Sequence, residues 1–222
     1  YNPIIGRFTQ EDTYRGDGLN LYGYCANNPI YYVDPSGHNK ICHSKALELE
    51  EKRAKGNITN EELKELSDYL EDNIILNKNN IMTKYKLEKQ GYKKPLNSRK
   101  IKEWINMGGT ISIDKKTNIW TYHDWEGNSV RYINDIVDFK GAGLVIQEVN
   151  LGRKFIERSQ DFSLGDKILK EQGRSRTPKT TWHHAEDGYT LQEVLTELHE
   201  RFTHRGGISF LGLGNKKTKN KR

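Results

Sequence analysis

Four of the seven histidines in this 222-residue sequence fall between positions 183 and 204, and this cluster limits the possible fold and chemistry more than any other feature. Imidazoles at this density are typical of a metal site, of acid–base catalysis, or of both. The adjacent pair His183 and His184 lies in a β-compatible segment, 180–185, which runs into the hairpin-turn dipeptide Asp187-Gly188. We therefore predict a short strand followed by a tight turn.

The segment after this turn is predicted to be a helix. Thr190 and Glu193 have the spacing of a capping box. Apolar residues then recur at helical intervals, namely Leu191, Val194, Leu195, Leu198 and Phe202. His199 would lie on this helix, and His204, about 140° further round, would lie at or beyond its end. Gly206-Gly207 would provide the stop, so that histidines lie on both arms of the turn.

The motifs of this region resemble the HNH and endonuclease VII nucleases, in particular the branch named for its Trp-His-His signature, which is found as toxin tips of bacterial polymorphic toxins. The closely matching motifs are Trp182-His183-His184, Leu191-Gln192-Glu193-Val194, Leu198-His199 and His204-Arg205-Gly206-Gly207. A looser match includes Val137-Asp138-Phe139, Gly143, Arg153 and Asp161-Phe162. The resemblance covers residues 130–210 and implies an α+β fold with a ββα-metal core, the His-Me finger.

The same resemblance implies a metal-dependent endonuclease that hydrolyses phosphodiester bonds, with DNA as the expected substrate. His183, His199 and His204 would hold one divalent ion, for which Mg²⁺ and Zn²⁺ are the leading candidates. His184 would be the general base that activates water.

Two departures from the family pattern open alternatives at this site. The asparagine that orients the base in HNH enzymes has no equivalent, and Gln192 is the nearest replacement. The last two histidines are separated by four residues instead of three, so His204 reaches the ion only if the helix end loosens. Glu186 or Asp187 would supply an oxygen ligand if His204 did not reach it.

The basic residues Arg174, Lys179 and Arg205 are candidate phosphate contacts. Trp182 is predicted to be a core anchor rather than a side chain that stacks on bases. The alternative function is a non-catalytic module that binds nucleic acid or protein and in which the histidines hold zinc only as a folding staple. The histidine pair disfavours this alternative, because zinc sites that only stabilise a fold generally use cysteine and rarely need adjacent histidines.

Residues 1–38 differ in composition from the rest, with a net charge of −2 in a chain whose net charge is +6. They resemble the end of an Rhs/YD-repeat core, a large β shell that surrounds a variable toxin and ends in a self-cleaving Asp-Pro-x-Gly signature. The matching motifs are Ile5-Gly6-Arg7-Phe8, Asp12, Asn20-Leu21-Tyr22-Gly23-Tyr24, Asn27-Asn28-Pro29 and Asp34-Pro35-Ser36-Gly37. Asp12 and Asp34 are the candidate catalytic pair for self-cleavage, or else they are turn and capping residues.

This second resemblance implies a secreted antibacterial effector that is released from the parent Rhs shell and delivered into the cytoplasm of a target cell. The producing cell would need a cognate immunity protein, which we expect to be acidic. No apolar run is long enough to span a membrane, so no membrane partner is expected.

The remaining chain completes the predicted organisation. Residues 39–100 are predicted to form a basic helical linker. The run from Lys84 to Lys102 holds eight Lys or Arg and either follows phosphates, forms a solvated linker or receives the immunity protein. The nuclease domain is predicted at 101–211, with strands at 110–113, 119–123 and 129–133 and a packed helix over 151–169. A basic disordered tail is predicted at 212–222.

Overall fold

A computed structural model describes residues 41–212 of the chain, which divide into two compact units. One unit holds residues 41–75 together with Asp114–Lys116, and the other holds Leu76–Ile113 together with 117–212. The candidate self-cleavage residues Asp12 and Asp34 lie outside the described residues, as do the rest of the segment 1–38 and residues 213–222. No helix within 41–212 is long and apolar enough to cross a membrane.

The first unit is built on two helices, α1 (His43–Ala54) and α2 (Asn60–Asp72), and β1 (Asn73–Leu76) follows α2 directly. The spacing of Thr59 and Glu62 is that of a capping box, and both of its hydrogen bonds form. The Thr59 hydroxyl accepts from the Glu62 backbone N–H at 3.2 Å, and the Glu62 carboxylate accepts from the Thr59 N–H at 3.0 Å. The core of this unit consists of Ala46, Leu49, Leu66, Tyr69 and Ile75.

The second unit begins with two short helices, α3 (Lys84–Lys89) and α4 (Ile101–Asn106), so the basic run is helical only in part. An antiparallel meander follows, with β2 (Thr110–Asp114), β3 (Trp120–His123), β4 (Ser129–Ile133) and β5 (Ile136–Asp138). The three strands predicted here are confirmed to within one residue at each end. Large aromatic side chains fill the meander core, namely Trp104, Trp120, Tyr122 and Tyr132.

A three-stranded antiparallel sheet carries the histidine pair. Its strands are β6 (Val145–Asn150), β7 (Thr180–His184) and β8 (Thr190–Leu195), and β8 lies in the centre. Helix α5 (Arg158–Glu171) packs on one face, where its Gly165 comes close to Trp182 and Leu191. The chain continues through α6 (Thr196–Arg201) and α7 (Gly207–Phe210). The predicted mixture of helices and antiparallel strands is thus confirmed.

The prediction of a helix from Thr190 onward is wrong, because Thr190–Leu195 is the central strand of this sheet. Both faces of a central strand are buried, so Leu191 on one face and Val194 on the other imitate the spacing of a helix. The Thr190 hydroxyl does not cap a helix. It donates to the Asp187 carboxylate at 2.6 Å and closes the turn around Gly188, whose φ is +83°. The helix that carries His199 starts only at Thr196.

The contact between Gly207 and the end of β7 can be tested by substitution. A Cβ at Gly207 would collide with the backbone carbonyl oxygens of His184 and Ala185, the latter at 2.6 Å, whereas a Cβ at Gly206 would meet no atom within 4 Å. Gly207→Ala is therefore expected to lower the free energy of unfolding by about 1–3 kcal/mol, and Gly206→Ala is the matched control. Urea denaturation measures both, and equal stability of the two variants would contradict this packing.

Candidate metal centre and catalytic site

Three histidines from different elements converge on one point. His183 comes from β7 and His199 from α6, whereas His204 follows α6. The Nδ1 atom of His183 lies 3.4 Å from Nε2 of His199 and 3.2 Å from Nε2 of His204, and the three possible ligand atoms all lie within 4.8 Å of one another. Nitrogens bound tetrahedrally at about 2.0–2.1 Å from a zinc ion are about 3.3–3.4 Å apart. The spacing therefore fits a shared cation.

The protonation of these imidazoles also suits a cation. Burial is the main cause that lowers the pKa of His199, to about 3, and it also lowers the pKa of His183 and His204. All three rings are thus neutral at neutral pH and have a lone pair for a metal. The Phe202 carbonyl accepts from Nδ1 of His204 at 2.8 Å, which leaves Nε2 of His204 as the ligand atom.

The short helix α6 depends on tertiary contacts for its position. Its six residues are too few for an isolated helix to be stable in water. The Arg201 guanidinium donates to Asp124 at 2.6 Å and to Glu126 at 2.7 Å, and also to Glu197. The turn between β3 and β4 therefore anchors the helix that carries His199.

Two further side chains hold the end of α6 and the segment that leads to His204. Arg99 donates to the backbone carbonyl oxygens of Glu200 and Arg201 at 3.0 and 3.2 Å, and so it satisfies groups that the helix end leaves free. The Tyr132 hydroxyl donates to the Thr203 carbonyl at 2.9 Å. Side chains far upstream in sequence therefore fix the positions of His199 and His204.

His184 projects from β7 on the other face of the sheet, as the alternation of strand residues requires. Its ring packs between Phe155 and Phe162, with centroid distances of 4.5 and 5.1 Å. Its Nε2 lies 3.2 Å from a carboxylate oxygen of Asp161, which is fully buried and also accepts from Arg153 at 2.7 Å. Burial lowers the pKa of His184, and the hydrogen bond to Asp161 opposes this shift.

Both members of the histidine pair nevertheless line one small cleft. The cleft is lined by Ile136, Val137, His183, His184, Glu186, Arg205 and Gly207. Because the Asp161 carboxylate accepts at Nε2, the proton of neutral His184 lies on Nε2 and the lone pair on Nδ1. An imidazole held in this way has one nitrogen able to accept a proton.

The other predicted site residues lie at different distances from this cleft. Arg205 lines it and donates to the Ser209 carbonyl at 2.8 Å. Arg174 and Lys179 instead precede β7, at the end of the strand opposite to the histidine pair. Arg174 donates to Gln147 at 3.0 Å and to Gln172, and both basic side chains are exposed. Of the three predicted phosphate contacts, the fold therefore brings only Arg205 to the cleft.

Trp182 and Gln192 occupy positions in the sheet. Trp182 is buried in the core, where its indole N–H donates to Asp166 at 2.9 Å. Gln192 is the cross-strand partner of His183, and its amide donates to Glu148 at 2.9 Å. This side-chain hydrogen bond therefore goes to a neighbouring strand and not to His184.

Sequence reasoning gave no role to several residues that shape the site. The ring of Phe139 lies 5.1–5.7 Å from all three clustered histidine rings and forms an apolar wall. Asp161 and Arg153 hold His184. Phe139, Arg153 and Asp161 belong to the looser part of the motif match, which was their only signal in the sequence. The contacts of Arg201 had no such signal.

Residues 173–212 match the family model WHH, described as a nuclease of the HNH/ENDO VII superfamily with conserved WHH. The matched segment contains the histidine pair, His199 and His204. Neither a curated protein nor a solved structure matches the chain. The segment 173–212 is a WHH nuclease domain, and the predicted enzyme class, a metal-dependent endonuclease, is confirmed.

Removing one ring of the histidine cluster is expected to abolish tight metal binding. We expect His199→Ala to weaken the binding of Zn²⁺ by more than about 100-fold, because a ligand is lost. Titration calorimetry measures the affinity. The control is His123→Gln in the same unit, since His123 contacts the hydroxyls of Ser112 and Ser129 and lies outside the cluster. Similar losses in both variants, or none in His199→Ala, would contradict the assignment.

The buried imidazoles also predict a pH dependence of stability. The pKa of His199 is about 3 in the folded protein and near 6.5 in an unfolded chain, so the unfolded state binds more protons between these values. The stability of the metal-free protein is expected to be complete above about pH 6.5 and to fall by up to about 1.4 kcal/mol per pH unit below it. Urea denaturation with chelator checks this, and an equally steep profile for His199→Ala would contradict it.

Proposed function

We propose that this protein is a DNA endonuclease whose metal centre is formed by His183, His199 and His204 and whose general base is His184. The observation that carries the proposal is the convergence of three neutral imidazoles, whose possible ligand atoms lie within 4.8 Å of one another, within the segment that matches the WHH family. The order β7, β8, α6 in this segment supports a ββα-metal finger.

Phosphodiester hydrolysis needs an activated water, neutralisation of the phosphoryl oxygens and help for the departing 3′ oxygen. A divalent ion held by the three histidines would supply the last two, and imidazole ligands suit Zn²⁺ better than Mg²⁺. His184 accepts the proton of the attacking water at Nδ1, because Asp161 occupies the Nε2 side. Arg153 compensates the charge of the buried Asp161 carboxylate and holds it in place.

The shape of the cleft gives the other residues their roles in this mechanism. Arg205 lies at the cleft and would neutralise a backbone phosphate. Phe139 covers the three ligand rings with an apolar surface, which excludes water from one side of the centre. DNA is proposed as the substrate from the family resemblance, and the net charge of +6 suits a polyanion.

We further propose that the nuclease is the toxin part of an antibacterial effector, released from an Rhs shell and delivered into the cytoplasm of a target cell. The motifs in residues 1–38, including Asp12 and Asp34, support this origin. The producing cell would be protected by a cognate acidic immunity protein. The basic run from Lys84 to Lys102 is the proposed docking surface because its charge is complementary to such a partner.

One observation favours the alternative of a zinc-stapled, non-catalytic binding module. His184 is only 8% exposed and packs between two phenylalanine rings, as a core histidine would. In that case the three clustered histidines would serve folding alone. The two functions differ in whether the protein cuts DNA and in what the loss of His184 does.

The decisive experiment is cleavage of supercoiled plasmid by the purified chain with added divalent metal, with and without chelator. We expect nicked and linear products that depend on metal. We expect His184→Ala to lower the rate at least about 100-fold while the affinity for Zn²⁺ stays within about twofold of wild type. His123→Gln should cut at the wild-type rate. A wild-type protein that binds metal but does not cut DNA would favour the alternative, a non-catalytic binding module whose zinc site serves folding alone.

A further inference from the structure

The N-terminal end of α5 carries three residues on the helix face that contacts His184. Arg158, Asp161 and Phe162 are spaced i, i+3 and i+4, which places them on one face of the helix. Asp161 contacts Nε2 of His184, and Phe162 stacks against its ring at 5.1 Å and 25°. Arg158 is the first residue of this face, and its guanidinium lies over the Phe162 ring at 5.3 Å.

Arg158 has no carboxylate partner within residues 41–212, unlike two neighbouring arginines. Arg153 is paired with Asp161, and Arg176 is paired with Asp166 at 2.7 Å. Arg158 is exposed, and its guanidinium lies over the Phe162 ring without a hydrogen-bond acceptor in this part of the chain. Its five N–H donors are therefore available to a ligand.

The Phe162 ring links Arg158 to His184. Its centroid lies 5.3 Å from the guanidinium carbon of Arg158 and 5.1 Å from the centroid of the His184 ring. The guanidinium is therefore placed beside the proposed base. A cation at this position attracts an anionic ligand such as a phosphate.

We propose that Arg158 binds a phosphate of the nucleic-acid backbone beside the cleft, an inference that rests on the proposed nuclease function. The planar guanidinium matches two phosphate oxygens, and the Phe162 ring beneath it fixes its orientation. The same turn of α5 would then position the base through Asp161 and the substrate through Arg158. In this role Arg158 is a substrate-binding residue that the motif match does not include.

The test compares Arg158→Gln with Lys170→Gln, which removes the same charge from the exposed last turn of α5. Binding of a fluorescent DNA duplex is measured with chelator present, so that no strand is cut, over a series of salt concentrations. Arg158→Gln is expected to weaken binding about 10-fold and to reduce the slope of log affinity against log salt by about 1. Lys170→Gln should stay within about twofold.

Three further measurements separate binding from folding. The affinity of Arg158→Gln for Zn²⁺ should equal that of wild type, because Arg158 is not a ligand. Arg158→Lys, which keeps the charge and loses the planar fork, should bind DNA with intermediate affinity. In plasmid cleavage, Arg158→Gln should raise KM more than it lowers kcat.

The possible failures can be told apart. If wild type cuts DNA and Arg158→Gln binds and cuts like Lys170→Gln, the role of Arg158 is refuted and the nuclease function stands. If wild type does not cut but its DNA binding depends on Arg158, the nuclease function fails and the phosphate contact stands. If wild type neither cuts nor binds DNA, both proposals are overturned.

Discussion

The alternation of side chains along β7 is the constraint on which the rest of the site depends. A step of one residue sends His183 to one face of the three-stranded sheet and His184 to the other. His183 joins two histidines that arrive after β8, whereas His184 meets α5. The two chemical tasks of the proposed mechanism, holding a cation and accepting a proton, are thereby divided between two faces that meet at one cleft.

Each face is fixed by a different part of the unit. On the face of His183, a helix too short to be stable alone is held by Arg99 and by the carboxylates around Arg201. Tyr132 holds the segment that follows this helix. On the other face, Asp161 and two phenylalanines hold the ring of His184. The matched segment 173–212 contains the histidines but few of the side chains that fix their positions. A site with neutral, buried ligands requires this support, because bare imidazoles would otherwise be solvated and mobile.

Local sequence signals predicted the elements that local physics controls. The box of Thr59 and Glu62 starts α2 because both hydrogen bonds form within four residues. The turn at Asp187-Gly188 formed for a similar reason. The helix predicted from Thr190 failed because burial on both faces of a central strand is set by β6 and β7, which the spacing of apolar residues does not reveal.

The sequence by itself determined the candidate histidines, the histidine pair on a strand and the class of enzyme, since these follow from residue types and short spacings. Only the tertiary structure decided that His204 reaches the cluster, that Arg205 lies at the cleft while Arg174 and Lys179 do not, and that Arg158 lies over Phe162. The reason is physical. The 3.2 Å distance between Nε2 of His204 and Nδ1 of His183 depends on packing between elements, and so does the ion pair of Arg201 and Asp124, which are 77 residues apart in sequence. No local pattern encodes either contact.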